Sequence, residues 1–146
     1  MSLKTVAITL SFDIFHEGHK DHIEKASKLG DKLIVIVDPT DLLLAKKHYE
    51  AIPQSSRLRL AGMVKWLNPN NEVVLSVDKD GTVAETLRLI KPTIFAKGGD
   101  RTPDNMPQNE IDMCKKIGCE IVYGIGDRLD SSQDIIRRCL TQLGVK

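Results

Sequence analysis

The chain has 146 residues, and its 21 lysines and arginines nearly balance 20 aspartates and glutamates, leaving a formal charge of +1. That length suits one domain able to bury roughly 68–70% of the surface its unfolded chain exposes. The balanced charge offers no basic field to hold a nucleic-acid backbone, and no apolar run approaches the roughly 20 residues that span a bilayer. Three cysteines, Cys114, Cys119 and Cys139, lack paired spacing; they argue against a disulfide framework or structural zinc and read as packing residues.

The first ten residues carry one lysine and a short apolar run, unlike a signal peptide, so a cytoplasmic location is expected. The run Thr5–Leu10 reads as a strand, and Ser11-Phe12-Asp13-Ile14-Phe15-His16-Glu17-Gly18-His19 leads from it into a helix over residues 19–29. Two imidazoles three residues apart at a strand-to-helix turn suit a polyphosphate. A helix N-terminus presents unpaired N–H groups and partial positive charge, and histidines add movable protons. His19 and His22 also share a helix face, but without a third ligand a buried, hydrogen-bonded His22 is the simpler reading than a metal site.

Further strands are predicted over 33–37, 72–77, 93–96 and 120–123, and further helices over 55–67, 83–90, 107–117 and 131–143. The strand runs are continuously apolar, as in a sheet covered on both faces. Gly30 and Gly118 stand where left-handed C-caps favour glycine, Gln54-Ser55-Ser56 suits a helix start, and Trp66 reads as core or a subunit contact. Asn68 to Asn71 and the longer stretch Gly98 to Met106 read as loops. The alternation implies one α/β domain with a five-stranded, mostly parallel sheet and helices on both faces. In such a sheet ligands bind beyond the C-terminal strand ends, where connections diverge. The histidine turn, Asp38-Pro39-Thr40 and Lys97-Gly98-Gly99-Asp100 all follow strands and should share one edge.

His16-Glu17-Gly18-His19 resembles the H-x-G-H signature of the nucleotidyltransferase superfamily that includes class I aminoacyl-tRNA synthetases. Its longer context is similar to the G-[ST]-F-D-x-x-H-x-G-H of the cytidylyltransferase-like branch. Phe95 to Arg101 resembles the V-K-G-G-D-Y segment of heptose-1-phosphate adenylyltransferase domains. Asp130 to Ile136 resembles the C-S-T-T-N-I-I of those domains and the I-S-T-T-K-I of glycerol-3-phosphate cytidylyltransferases.

The resemblance implies a Rossmann-like fold and attack of a substrate phosphate oxygen on the α-phosphorus of ATP or CTP, with pyrophosphate leaving. The acceptor it suggests is a small phosphorylated sugar or polyol. The nucleophile is already an anion, so catalysis rests on positioning and charge stabilisation. By resemblance His16, His19 and Lys46 are the catalytic candidates. Ser11, Phe12, Gly18, Lys97, Gly98, Asp100, Ser131 and Ser132 are expected at the nucleotide, and Asp13, Lys46 and Arg57 at the acceptor. Mg²⁺ bridging the phosphates is the expected cofactor, with no dedicated protein metal site, and a homodimer the expected assembly. Simpler readings stand beside these: Lys46-Lys47 as a solvated pair, Ser131 and Ser132 as N-caps, Arg57 as an ordinary surface charge. Leu10 replaces a family glycine, Gln133 a threonine and Arg101 an aromatic residue, so a catalytically inactive nucleotide-binding module is the alternative. A synthetase-like RNA enzyme ranks last, because no K-M-S-K-S-like segment or basic RNA surface accompanies the histidines.

Overall fold

The computed structural model describes residues 3–145; the part of the leader reading that concerns Met1 and Ser2 lies outside them. Five strands, β1 (Thr5–Leu10), β2 (Lys32–Val37), β3 (Glu72–Leu75), β4 (Ile94–Ala96) and β5 (Glu120–Val122), form one sheet. Its order is β3-β2-β1-β4-β5 and every pairing is parallel. The helices are α1 (Glu17–Ser27), α2 (Thr40–Lys47), α3 (Gln54–Ala61), α4 (Ala84–Ile90), α5 (Gln108–Ile117) and α6 (Ser132–Gln142). None is long and apolar enough to cross a membrane.

Period-two alternation divides the apolar strand residues between two cores. Val6, Ile8, Leu33, Val35, Val37, Ile94 and Ala96 pack with Ile23, Ala26, Ala61 and Val64 from α1, α3 and the 3₁₀ turn Gly62–Trp66. Ala7, Ile36 and Phe95 face the other way, against Val83, Leu87, Met106 and Cys114. The chain lays down β1, β2 and β3 outward in one direction, then α4 carries it back to place β4 on the far side of β1. Connections therefore diverge between β1 and β4, which is where a parallel sheet opens a crevice at its C-terminal edge.

Several local expectations change. The segment after β2 is a helix, α2, capped by Pro39 without a side-chain hydrogen bond and ended by His48 at φ 67°. The helix predicted over 55–67 breaks at Gly62 into the 3₁₀ turn, which carries Trp66 outward to 89% exposure rather than into the core. Pro53, not the Gln54-Ser55-Ser56 group, caps α3. Gly118 is a left-handed C-cap as expected. Gly30 is not: a Cβ there would lie 2.7 Å from the Lys4 carbonyl oxygen, so close backbone approach requires glycine. Cys114 and Cys119 are buried, whereas Cys139 is exposed and no packing residue.

Candidate functional site

The crevice between β1 and β4 is a cavity of about 320 Å³, walled by the ends of those strands, the start of α1, the loops after β4 and β5, and the start of α6. The turn that leads from β1 into α1 is strained: Phe12 and Ile14 hold φ of 58° and 52°, a region bulky and β-branched residues avoid. Burial of Phe12 against Phe15, with ring centroids 5.2 Å apart, fixes it.

His16 is the N-cap of α1. Its Nδ1 accepts from the Gly18 N–H at 3.1 Å, and His19 Nδ1 accepts from the His16 N–H at 3.4 Å, a capping box built from two imidazoles. Both rings thus carry their proton on Nε2, away from the helix end, and stack with centroids 3.7 Å apart. Burial lowers the His16 pKa against an opposing pull from Asp130, and pushes His19 down to about 4, with His16 adding to the effect. At neutral pH the pair is two N–H donors set on the positive end of a helix dipole, whose own first-turn amides at His16, Gly18, His19 and Lys20 are already paired. A Cβ on Gly18 would sit 2.9 Å from the His16 ring, so a larger residue there would push the ring from its place.

From the other side, Ser131 caps α6 by accepting the Asp134 N–H at 3.0 Å, which leaves its hydroxyl proton free to donate. Ser132 also lines the cavity. Lys97, only 9% exposed, sets its Nζ 3.4 Å from Thr9 Oγ1 and 4.7 Å above the Phe95 ring centre. Burial pushes its pKa down to about 8, although Glu110 opposes the shift. Gly98 and Asp100 line the cavity beyond it. A Cβ on Gly99 would come within 2.7 Å of the Gly126 carbonyl oxygen, and one on Gly126, at φ 101°, within 3.0 Å of the His22 backbone. These contacts close the loops after β4 and β5 onto α1 as a narrow slot.

Lys97 gives a pH prediction. It is charged below about 8 and neutral above, so any anion held in the cavity would lose a cationic partner as pH rises. Titration calorimetry with ATP as an anionic probe is expected to show affinity falling about tenfold between pH 7.5 and 9.5, and a flat profile in Lys97→Met; an identical slope in the variant would refute the assignment. Folding has its own dependence: the folded pKa lies below the unfolded 10.5, so the burial penalty is full below about 8 and is relieved as pH rises towards 10.5.

Eight of the expected residues meet at this cavity: His16, Gly18, His19, Lys97, Gly98, Asp100, Ser131 and Ser132. Five do not line it. Asp13 is buried and its carboxylate accepts the Ala51 and Ile52 N–H groups at 3.0 and 2.7 Å. Arg57, expected at the acceptor, is 0% exposed. It donates to the Ser11, Asp38 and Ile52 carbonyls and to Glu50, so its charge is spent inside the fold. Ser11 is held by that bond and by its hydroxyl accepting from the Asp13 N–H, and Phe12 is core. Lys46 turns to Asp38, 3.7 Å away; Lys47 lines the cavity in its place. The other Asp38 oxygen, Oδ1, is the one enclosed side-chain polar atom without a partner among the described residues. Sequence reasoning missed Lys47, His22 and the loop Ile125 to Asp130 as cavity walls; the spaced glycines Gly124 and Gly126 after the last strand were the available signal.

The Cytidylyltransferase-like family profile matches residues 11–138. The chain is 36% identical over 141 residues to the FAD synthase of Methanobrevibacter ruminantium, covering 91% of this chain and 89% of that protein. It is 29% identical over 130 residues to the bifunctional protein HldE of Hahella chejuensis, covering 89% of this chain but 24% of that longer protein. Among solved structures, the lipopolysaccharide core biosynthesis protein of Thermoplasma volcanium superposes with a TM-score of 0.68 at 25% identity, over 88% of this chain and 100% of that one. A histidine-capped helix at the switch point of a parallel sheet, together with a profile match over most of the chain, places this protein in the cytidylyltransferase-like family of nucleotidyltransferases.

Proposed function

We propose that the protein transfers an adenylyl group from ATP to the phosphate of FMN, releasing pyrophosphate. The observation that carries the reading is the stacked His16-His19 capping box, whose two Nε2–H donors at the positive end of α1 suit a triphosphate at the mouth of the cavity. Lys47 and Lys97 add positive charge there, and the Ser131 hydroxyl a further donor. Such preorganised donors stabilise charge that grows on phosphoryl oxygens in the transition state. ATP and FMN are favoured as substrates because the FAD synthase relative matches nearly end to end. A sugar 1-phosphate is the second reading, favoured by the K-G-G-D loop and the HldE similarity.

Mg²⁺ is part of the proposal. Cationic and N–H groups dominate the lining, and of its three carboxylates those of Asp127 and Asp130 are engaged by Lys25 and Arg138, which leaves Asp100. The ion would be held mainly by phosphate oxygens and water, the coordination it prefers, with Asp100 the one carboxylate at hand, and would supply charge neutralisation along the phosphate chain. A cytoplasmic homodimer is the setting proposed for the reaction.

The test is pyrophosphate release with Mg²⁺, ATP or CTP, and FMN, heptose 1-phosphate or glycerol 3-phosphate as acceptor. ATP with FMN is expected to give FAD over multiple turnovers. Turnover only with a sugar or polyol phosphate would reject FMN, and tight nucleotide binding without turnover on any acceptor would identify an inactive binding module.

A further inference from the structure

The third histidine of α1 holds its proton the other way round. His22 Nδ1 lies 2.6 Å from the Ile125 carbonyl oxygen, and a carbonyl only accepts, so Nδ1 carries the proton and Nε2 is a bare acceptor. That Nε2 has no hydrogen-bond partner among the described residues, nor is it one of the enclosed unpartnered atoms; it is therefore accessible, on a residue that lines the cavity. The contact is built in: Gly126 lies against the His22 backbone, where any Cβ would come within 3.0 Å, and the Lys97 carbonyl accepts the Ile125 N–H at 2.9 Å. The ring is thus clamped between α1 and the loop after β5.

His16 and His19 offer donors to an acceptor-only phosphate chain, whereas His22 offers an acceptor and calls for a donor. A helix rises about 1.5 Å per residue, so His22 sits about 4.5 Å further along α1 than His19, one sugar ring's span beyond the phosphates. It faces the slot that holds Asp100, close enough for the aspartate's charge to act on the His22 ring. We infer that His22 Nε2 accepts a hydrogen bond from a ribose hydroxyl of the bound nucleoside triphosphate, so that this side chain selects ribonucleotides over deoxyribonucleotides. The inference rests on reading the cavity as a nucleoside triphosphate site.

Calorimetry with Mg²⁺ and no acceptor phosphate, which excludes turnover, tests it with ATP, 2′-deoxy-ATP, 3′-deoxy-ATP and ITP. The wild-type protein is expected to bind one deoxy analogue about tenfold more weakly than ATP, the effect of losing one hydrogen bond between ligand and protein. His22→Leu is expected to bind ATP about tenfold more weakly and to lose that discrimination, while its ATP-to-ITP ratio stays at the wild-type value. His22→Gln, whose amide can donate to the Ile125 carbonyl and accept through Oε1, is expected to keep a preference for ATP. Equal wild-type affinity for ATP and both deoxy analogues overturns the inference, whether or not the variants fold. Discrimination that persists in His22→Leu also overturns it, and so does a loss confined to the ATP-to-ITP ratio, which would move the contact to the base. If no nucleotide binds at all, the reading of the cavity itself fails. Binding with ribose selectivity but no turnover rejects only the proposed reaction.

Discussion

Replacing His16 by asparagine is expected to lower turnover by about 10²–10³-fold, the usual effect of removing one donor aimed at developing phosphoryl charge, with the melting temperature close to wild type. The two roles of His16 separate because they use different nitrogens. Nδ1 caps α1 by accepting the Gly18 N–H, a task an asparagine carbonyl performs as well as any side chain. The Nε2–H, the donor proposed for the phosphates, has no counterpart in the shorter amide. His16→Ala removes both, so it should show the same kinetic loss plus about 1 kcal/mol of destabilisation, a drop of roughly 3 °C. Steady-state kinetics and a thermal melt on both variants decide the matter. Turnover in His16→Asn within threefold of wild type would remove the imidazole from the reaction.

Arg57→Met should do the reverse of His16→Asn and damage the fold first. The guanidinium is wholly enclosed and binds the main chain after β1 at Ser11, after β2 at Asp38 and before α3 at Ile52, as well as the Glu50 carboxylate, which in turn accepts from Thr40. Removing one partner of such a buried network costs about 3–5 kcal/mol, because the groups left behind stay dehydrated and unpaired. For a chain of this size that is a fall of roughly 10 °C in melting temperature. Activity should fall with it, since Ser11 begins the turn that carries His16. Differential scanning calorimetry with a parallel activity assay tests this. A raised KM for the acceptor at unchanged melting temperature would restore Arg57 to the substrate.

The contrast between these two residues shows what one sequence discloses. The histidine pair was legible because its chemistry depends on local spacing: His16 and His19 stand at the N-cap and third helical position, neighbours in any α-helix, although α1 begins at Glu17 rather than at the expected residue 19. The glycine loop after β4 and the serines opening α6 were legible for the same reason. Asp13 and Arg57 stand just as close to the recognisable motifs, yet their partners lie at Ala51, Ile52, Glu50 and Asp38. A polar residue that holds a loop and one that holds a ligand look alike until the chain is folded. The helix α2 was missed because Pro39 and His48, rather than a capping serine and a glycine, mark its ends, and because Leu42-Leu43-Leu44-Ala45 shows no helical period. Lys47 reaches the cavity instead of Lys46 because the helical turn decides which of two adjacent lysines faces inward.

All strands run the same way, so every segment that builds the cavity leaves the sheet at one rim, while the turns at Gly30, Asn68 to Asn71, Lys91 and Gly118 lie at the other. Chemistry and attachment are thereby separable. An exposed position such as Asn70 can carry a fluorophore, or tether the molecule to a sensor surface, while the cavity stays open to solution.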